Sequence, residues 1–108
     1  MKGSTFPPSL TAGDVVRIAR TAQGMGLRAT CRATGMSPTA LSHLETNRPG
    51  TSVGAETLAA LARHLGIDPW ELLLRDGRIP AAVTEAFRRD PARAASALRG
   101  VVAMMEGS

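Results

Sequence analysis

Tyrosine is absent from this chain of 108 residues, and the remaining aromatic side chains are Phe6, Trp70 and Phe87. Cysteine occurs once, at Cys31, so no internal disulfide can form. Cys31 falls inside an apolar helical pattern and reads as a small core residue rather than a redox centre. The two histidines, His43 and His64, lie in separate helical segments without metal-ligand spacing, and the sequence has no Gly-rich phosphate loop and no nucleophile elbow. Enzymatic activity, a metal and a cofactor are therefore not expected. No apolar run approaches the roughly 20 residues of a membrane span. The opening Met1-Lys2-Gly3-Ser4 is polar and unlike a secretory leader. Together these absences point to a soluble, cytoplasmic protein without a membrane partner. No repeat and no strand signal of useful length appears, so the chain is expected to be all-α.

Lysine is as scarce as cysteine. Twelve of the 13 basic side chains are Arg, against nine acidic ones, for a net charge of +4. Arg presents a fixed planar fork suited to phosphate and base edges, so this balance favours nucleic acid as a partner. The same excess of Arg, Ala and Gly also follows from GC-rich coding.

Residues 1–10 lack periodicity, contain Pro7-Pro8 and read as a flexible arm. Residues 11–76 read as a five-helix domain and 77–108 as a two-helix extension. The first helix runs from about Ala12 to Gln23, with Thr11 and Asp14 spaced as a capping box and Val15, Val16, Ile18, Ala19 and Ala22 as its apolar stripe. The second runs from Leu27 to Thr34 and the third from Pro38 to Thr46, with Ser37 as N-cap. Residues 47–54 form a loop rich in turn formers. The fourth helix spans Ala55 to Leu65, closed by Gly66. A fifth starts at a capping box in Asp68-Pro69-Trp70-Glu71 and carries Trp70, Leu72, Leu73 and Leu74. A sixth opens at Ile79-Pro80 and ends near Arg89, and a seventh runs from Asp90-Pro91 to about Met105.

The stretch from Ala29 to Glu45 is the most informative. It gives a short helix, a turn at Gly35 and a second short helix. Ala29, Cys31, Thr34, Met36, Leu41 and Leu44 fall where two steeply crossed helices would touch, and Thr39, Ala40, Ser42 and His43 face outward. This is the layout of a helix-turn-helix, whose second helix enters the DNA major groove.

From about Gly13 to Leu74 the chain resembles the five-helix DNA-binding domain of phage Cro and lambda-type repressor proteins, the XRE family. The resemblance rests on an ordered set of segments: Arg17 and Arg20 late in helix one, Gly24-Met25-Gly26-Leu27-Arg28, Gly35-Met36-Ser37-Pro38, Leu41 with Leu44-Glu45, Leu58-Ala59-Ala60-Leu61-Ala62-Arg63-His64-Leu65-Gly66-Ile67, and Glu71-Leu72-Leu73. Gly77-Arg78-Ile79-Pro80 and Arg89-Asp90-Pro91 are similar to the subgroup with a short helical C-terminal extension. The chain departs from many relatives in having no Gln or Arg on helix three.

The resemblance implies double-stranded DNA as partner and places Pro38, Thr39, Ser42 and His43 at base-facing positions. Thr39 offers a hydroxyl and a methyl, and His43 can donate or accept according to its tautomer. Arg28, the free amides that begin helix two, and Ser37 are the phosphate-contact candidates. Relatives also grip the second strand where Arg48, Thr51 and Ser52 lie. Arg32, one turn beyond Arg28, fits a solvated face as well as a phosphate contact. The resemblance further implies an ion pair between Arg20 and Glu45 that fixes the recognition helix.

Val83, Phe87, Leu98, Val101, Val102 and Met105 exceed what a five-helix core needs. In the resembling subgroup such an extension supports a homodimer; the other reading has it fold back on its own domain. The expected function is a transcriptional regulator, a dimeric repressor on a palindromic operator, associated with the bacterial nucleoid when DNA-bound. Two alternatives remain at this point: an antitoxin-type autoregulator, and an adaptor that uses the fold without reading DNA and recruits a protein through its C-terminal helices.

Overall fold

The computed structural model describes residues 6–107, and these form seven α-helices with no strand among them: α1 Ala12–Ala22, α2 Leu27–Thr34, α3 Pro38–Glu45, α4 Ala55–Leu65, α5 Pro69–Arg75, α6 Ala81–Arg89 and α7 Pro91–Glu106. Two compact units divide the chain, one reaching to Arg78 and the other beginning at Ile79.

In the first unit the helix ends follow from local chemistry. Asp14 N donates to Thr11 Oγ1 at 3.0 Å and Thr11 N donates to Asp14 Oδ2 at 3.2 Å, so the start of α1 is capped reciprocally. Gly35 ends α2 in the left-handed region, φ 77°, where its N–H reaches the Cys31 carbonyl at 2.9 Å. Two residues later Ser37 Oγ accepts from Ala40 N at 3.1 Å, and Pro38 takes the first helical position, where it has no N–H to lose. The turn between α2 and α3 is therefore set by local bonds at Gly35 and Ser37, with Met36 between them buried in the core.

α1 packs on α3, α4 and α5; α2 packs on α3 and α4; α4 packs on α5. The shared core contains Val15 and Val16 of α1, Cys31 of α2, Leu41 and Leu44 of α3, Leu58, Leu61 and Leu65 of α4, and Leu72 and Leu73 of α5. Cys31 is a buried free thiol, as its apolar setting predicts.

Several local expectations are corrected. Ile18 and Ala22 are exposed, because Ile18 lies at the margin of the α1 stripe and Ala22 in a last turn that runs past the core. Ala29 is exposed, one residue off the buried Thr30–Cys31 edge of α2. Ala40 packs against the core instead of flanking the outer face. α5 starts on a single cap rather than a capping box: Asp68 Oδ1 accepts from Trp70 N at 3.0 Å, while the Glu71 carboxylate is taken by Arg75 Nε at 3.0 Å. Trp70 and Leu74, four apart on this short helix, face outward at 50% and 54% exposure.

The arm reading is corrected from Phe6 onward; Met1 to Thr5 lie outside the described residues. Arg75 donates to the carbonyls of Pro7 at 2.9 Å and Leu10 at 2.8 Å through Nη1, and to that of Phe6 at 3.0 Å through Nη2. Phe6 and Leu10 are partly buried against the core. One guanidinium thus satisfies three backbone acceptors that no helix or strand would satisfy.

In the second unit α6 and α7 pack on each other. They meet at Asp90, whose Oδ1 accepts from Arg93 N at 3.1 Å ahead of Pro91 at the first position of α7. Neither helix has a buried residue. Val83 and Phe87 are half-buried, whereas Leu98, Val101, Val102 and Met105 are exposed. None of the described helices is long and apolar enough to cross a membrane.

Candidate nucleic-acid interface

Two attachments set the position of α3 on α1. At its C-terminal end, Arg20 Nε donates to Glu45 Oε2 at 2.7 Å and Arg20 Nη2 donates to Glu45 Oε1 at 2.8 Å. The third arm, Nη1, donates to the Met25 carbonyl at 2.8 Å, so one side chain joins α1, the α1–α2 connection and α3. The side chains are 17% and 6% exposed, which makes this a shielded bidentate pair. The hydrogen bonds to Glu45 raise the Arg20 pKa above the ordinary guanidinium value, against the opposing effect of burial.

The second attachment is a close backbone approach. Gly13 of α1 sits against the last turn of α3, and a Cβ there would overlap the Leu44 carbonyl oxygen and stand 2.9 Å from Asn47 Oδ1. Asn47 closes the junction: Thr11 Oγ1 donates to Asn47 Oδ1 at 2.7 Å, and Asn47 Nδ2 donates to Asp14 Oδ1 at 2.8 Å. Asn47 has φ 55°, a conformation that Asn tolerates better than most residues because its short side chain bonds locally.

This network depresses the Asp14 pKa below its ordinary 3.8, first through the Asn47 hydrogen bond, then through the Thr11 backbone N–H, with Arg17 adding a smaller attraction. A carboxylate with a lowered folded-state pKa contributes stability above its unfolded value, and that contribution is lost as pH falls through the lowered value. Asn47→Gly, which keeps the left-handed backbone and deletes the amide, is expected to move the Asp14 pKa up toward 3.8. The acid-side loss of stability should become shallower. Carboxyl NMR titration of Asp14 with acid-unfolding curves checks this; an unmoved Asp14 would refute it.

Thr39 and Ser42 are exposed on α3, Pro38 is exposed at its start, and His43 is partly buried in its last turn. Arg28 and Arg32 are exposed on α2. The first turn of α2 follows Gly26 and receives no side-chain cap, which leaves its amides for an outside acceptor. Ser37 Oγ accepts from Ala40 N, and its own proton remains for donation. The Thr51 hydroxyl is buried and unpartnered while Ser52 is exposed, so Ser52 is the residue of that pair able to meet a phosphate. Arg48 Nη1 lies 3.1 Å from His43 Nε2.

Gly13, Asn47 and Gln23 carry functions that sequence patterns did not mark. Gln23 Nε2 donates to the Leu65 carbonyl at 2.9 Å, tying the ends of α1 and α4. Their signal is faint: a glycine inside a helix, an Asn just past one, and a polar residue at a helix end, each of which has a commonplace local explanation.

Two short helices joined by a tight turn, the second docked by its neighbours and carrying an exposed polar face, have the layout of the helix-turn-helix class of DNA-binding domains. The family model described as the helix-turn-helix domain matches residues 11–74, and the chain belongs to that family. Among solved structures it is similar to the clp gene regulator ClgR from Corynebacterium glutamicum, at 31% identity and a TM-score of 0.52 over 81% of this chain and 92% of that one. It is also similar to YmfM of Staphylococcus aureus, a candidate DNA-binding membrane protein, at 25% identity and a TM-score of 0.54 over 66% of this chain and 93% of that one. No curated protein sequence matches the chain significantly.

Proposed function

We propose that this protein is a sequence-specific transcriptional regulator, a repressor that binds a palindromic operator as a dimer and occludes polymerase. The observation that carries the reading is the exposed face of α3, with Thr39 and Ser42, on a helix fixed to α1 by Arg20 and Glu45. Such a face can enter the major groove, where hydroxyls meet base edges and the Thr39 methyl meets a thymine methyl. Arg28, the free amides of α2, Ser37 and Ser52 then hold the phosphates and set register without reading sequence. The likeness to a regulator of clp genes supports regulation as the outcome of binding.

The apolar residues of α6 and α7 supply the dimer contact in this reading. Leu98, Val101, Val102 and Met105 are exposed on α7, and Val83 and Phe87 lie half-buried on α6. A two-fold dimer would engage half-sites one helical turn apart, about 10 base pairs.

Selection of bound duplexes from a random library tests the proposal. Thr39→Ala should change which sequence is preferred. Arg28→Ala should weaken all duplexes by a common factor and lower the salt dependence by about one counterion. Sedimentation of the complex should give two chains per selected site. A protein that binds no duplex even at low salt would overturn the proposal in favour of an adaptor role.

A further inference from the structure

Helix α3 carries neither Arg nor Gln, the side chains whose paired polar atoms most often read guanine and adenine edges. The fold brings an Arg to it from outside the helix. Beyond Glu45 the chain passes through Thr46 and the left-handed Asn47, and Arg48 N donates back to the His43 carbonyl at 3.0 Å. The Arg48 carbonyl in turn accepts from Thr51 N at 3.2 Å. Pro49 and Gly50, φ 81°, occupy the central positions of that turn, which suit the type II form. Arg48 is thus held by backbone hydrogen bonds on both sides, and its Nη1 lies 3.1 Å from His43 Nε2.

A guanidinium does not give up its proton, so Nη1 donates and Nε2 accepts. The proton of a neutral imidazole is then on Nδ1. We infer that Arg48 is a specificity-determining residue that reads a guanine edge, with His43 as its positioning residue. The inference rests on the major-groove placement of α3 proposed above and reassigns Arg48 from backbone grip to base reading. A phosphate accepts from either cation, the Lys ammonium as a point charge or the Arg fork, and its several oxygens fix no single direction of approach. Guanine O6 and N7 ask for two donors in one plane at a fixed place in the groove. An Arg anchored through its backbone and through one Nη1 hydrogen, with the rest of its fork unspent, has the organisation that the second task needs. The ring that steadies it belongs to α3 itself, one turn beyond Thr39.

The test compares the duplexes selected from a random library by the full chain and by Arg48→Ala, Arg48→Lys and His43→Ala, with a salt series on the winning sites. The wild type should enrich guanine at one position of each half-site. Arg48→Ala should erase that preference, roughly 5- to 150-fold for a good bidentate contact, with the largest loss of affinity at sites that carry the guanine. Arg48→Lys should lose the preference but keep the salt slope, and His43→Ala should weaken the preference with Arg48 still present. The contact uses only the side-chain end of the exposed Arg48, so both Arg48 variants should melt with the wild type. Uniform weakening by Arg48→Ala, with a salt slope lower by about one, would identify a phosphate contact and overturn the inference alone. Wild-type protein that binds no duplex would overturn both this inference and the proposed function.

Discussion

Glu45→Ala is expected to destabilise the first unit by about 3–5 kcal/mol, the usual consequence of removing one member of a shielded ion pair. For a domain of this size that corresponds to a fall in Tm on the order of 12–40 °C. The loss has two sources. The Arg20 guanidinium keeps its hydrogen bond to Met25 O but loses both bonds to Glu45, in a place where little water can replace them. The C-terminal end of α3 also loses its tie to α1. Replacing both partners with apolar residues should recover much of the loss, because no unpaired charge is then left inside. Thermal unfolding followed by circular dichroism distinguishes the cases. If Glu45→Ala melts within a degree or two of wild type, the pair contributes no more than an exposed one, and the docking of α3 must rest on its apolar contacts alone.

Gly13→Ala is expected to cost at least as much as typical overpacking, about 1–3 kcal/mol, and to exceed that range because the new methyl meets backbone. The atom in its way is the Leu44 carbonyl oxygen, which cannot swing aside as a side chain would. Either α1 and α3 separate, or the turn at Asn47 deforms and its hydrogen bonds to Thr11 and Asp14 are lost. Both responses move α3. The variant should therefore lose sequence-selective DNA binding at temperatures where circular dichroism still reports helix. A Gly13→Ala protein with wild-type Tm and unchanged site preference would show that the close approach has no role in placing α3.

These two predictions fall on one partner that family resemblance pointed out and one that nothing in the sequence marked. The Arg20–Glu45 pairing was expected from the resemblance; the structure adds the bidentate geometry and the third bond to Met25. Gly13 had no such pointer. A glycine inside a helix is ordinarily a small loss of helix propensity, and only the arrival of Leu44 from 31 residues downstream turns it into a requirement. Arg75 is a similar case: its spacing from Glu71 suggests an ordinary i,i+4 pair, whereas its other donors fasten Phe6, Pro7 and Leu10. The exposed polar face of α3 was legible in its residue types at Thr39 and Ser42, whereas His43, expected to face outward, is partly buried. That Arg48 lies against His43 follows from two turns whose effect on side-chain direction cannot be computed from spacing.

Helix extents, the turn at Gly35, the caps at Thr11 and Ser37 and the leucine core were all readable along the chain, because each depends on neighbours within about one helical turn or on burial of one stripe. Contacts between residues 25 to 69 positions apart were not: Arg20 with Glu45, Gly13 with Leu44, and Arg75 with the N-terminal segment exist only once the helices have packed. Local propensity specifies which segments become helices. The angle and depth at which α3 is presented are set by a few shielded polar bonds and one missing methyl group, and those take effect only in three dimensions.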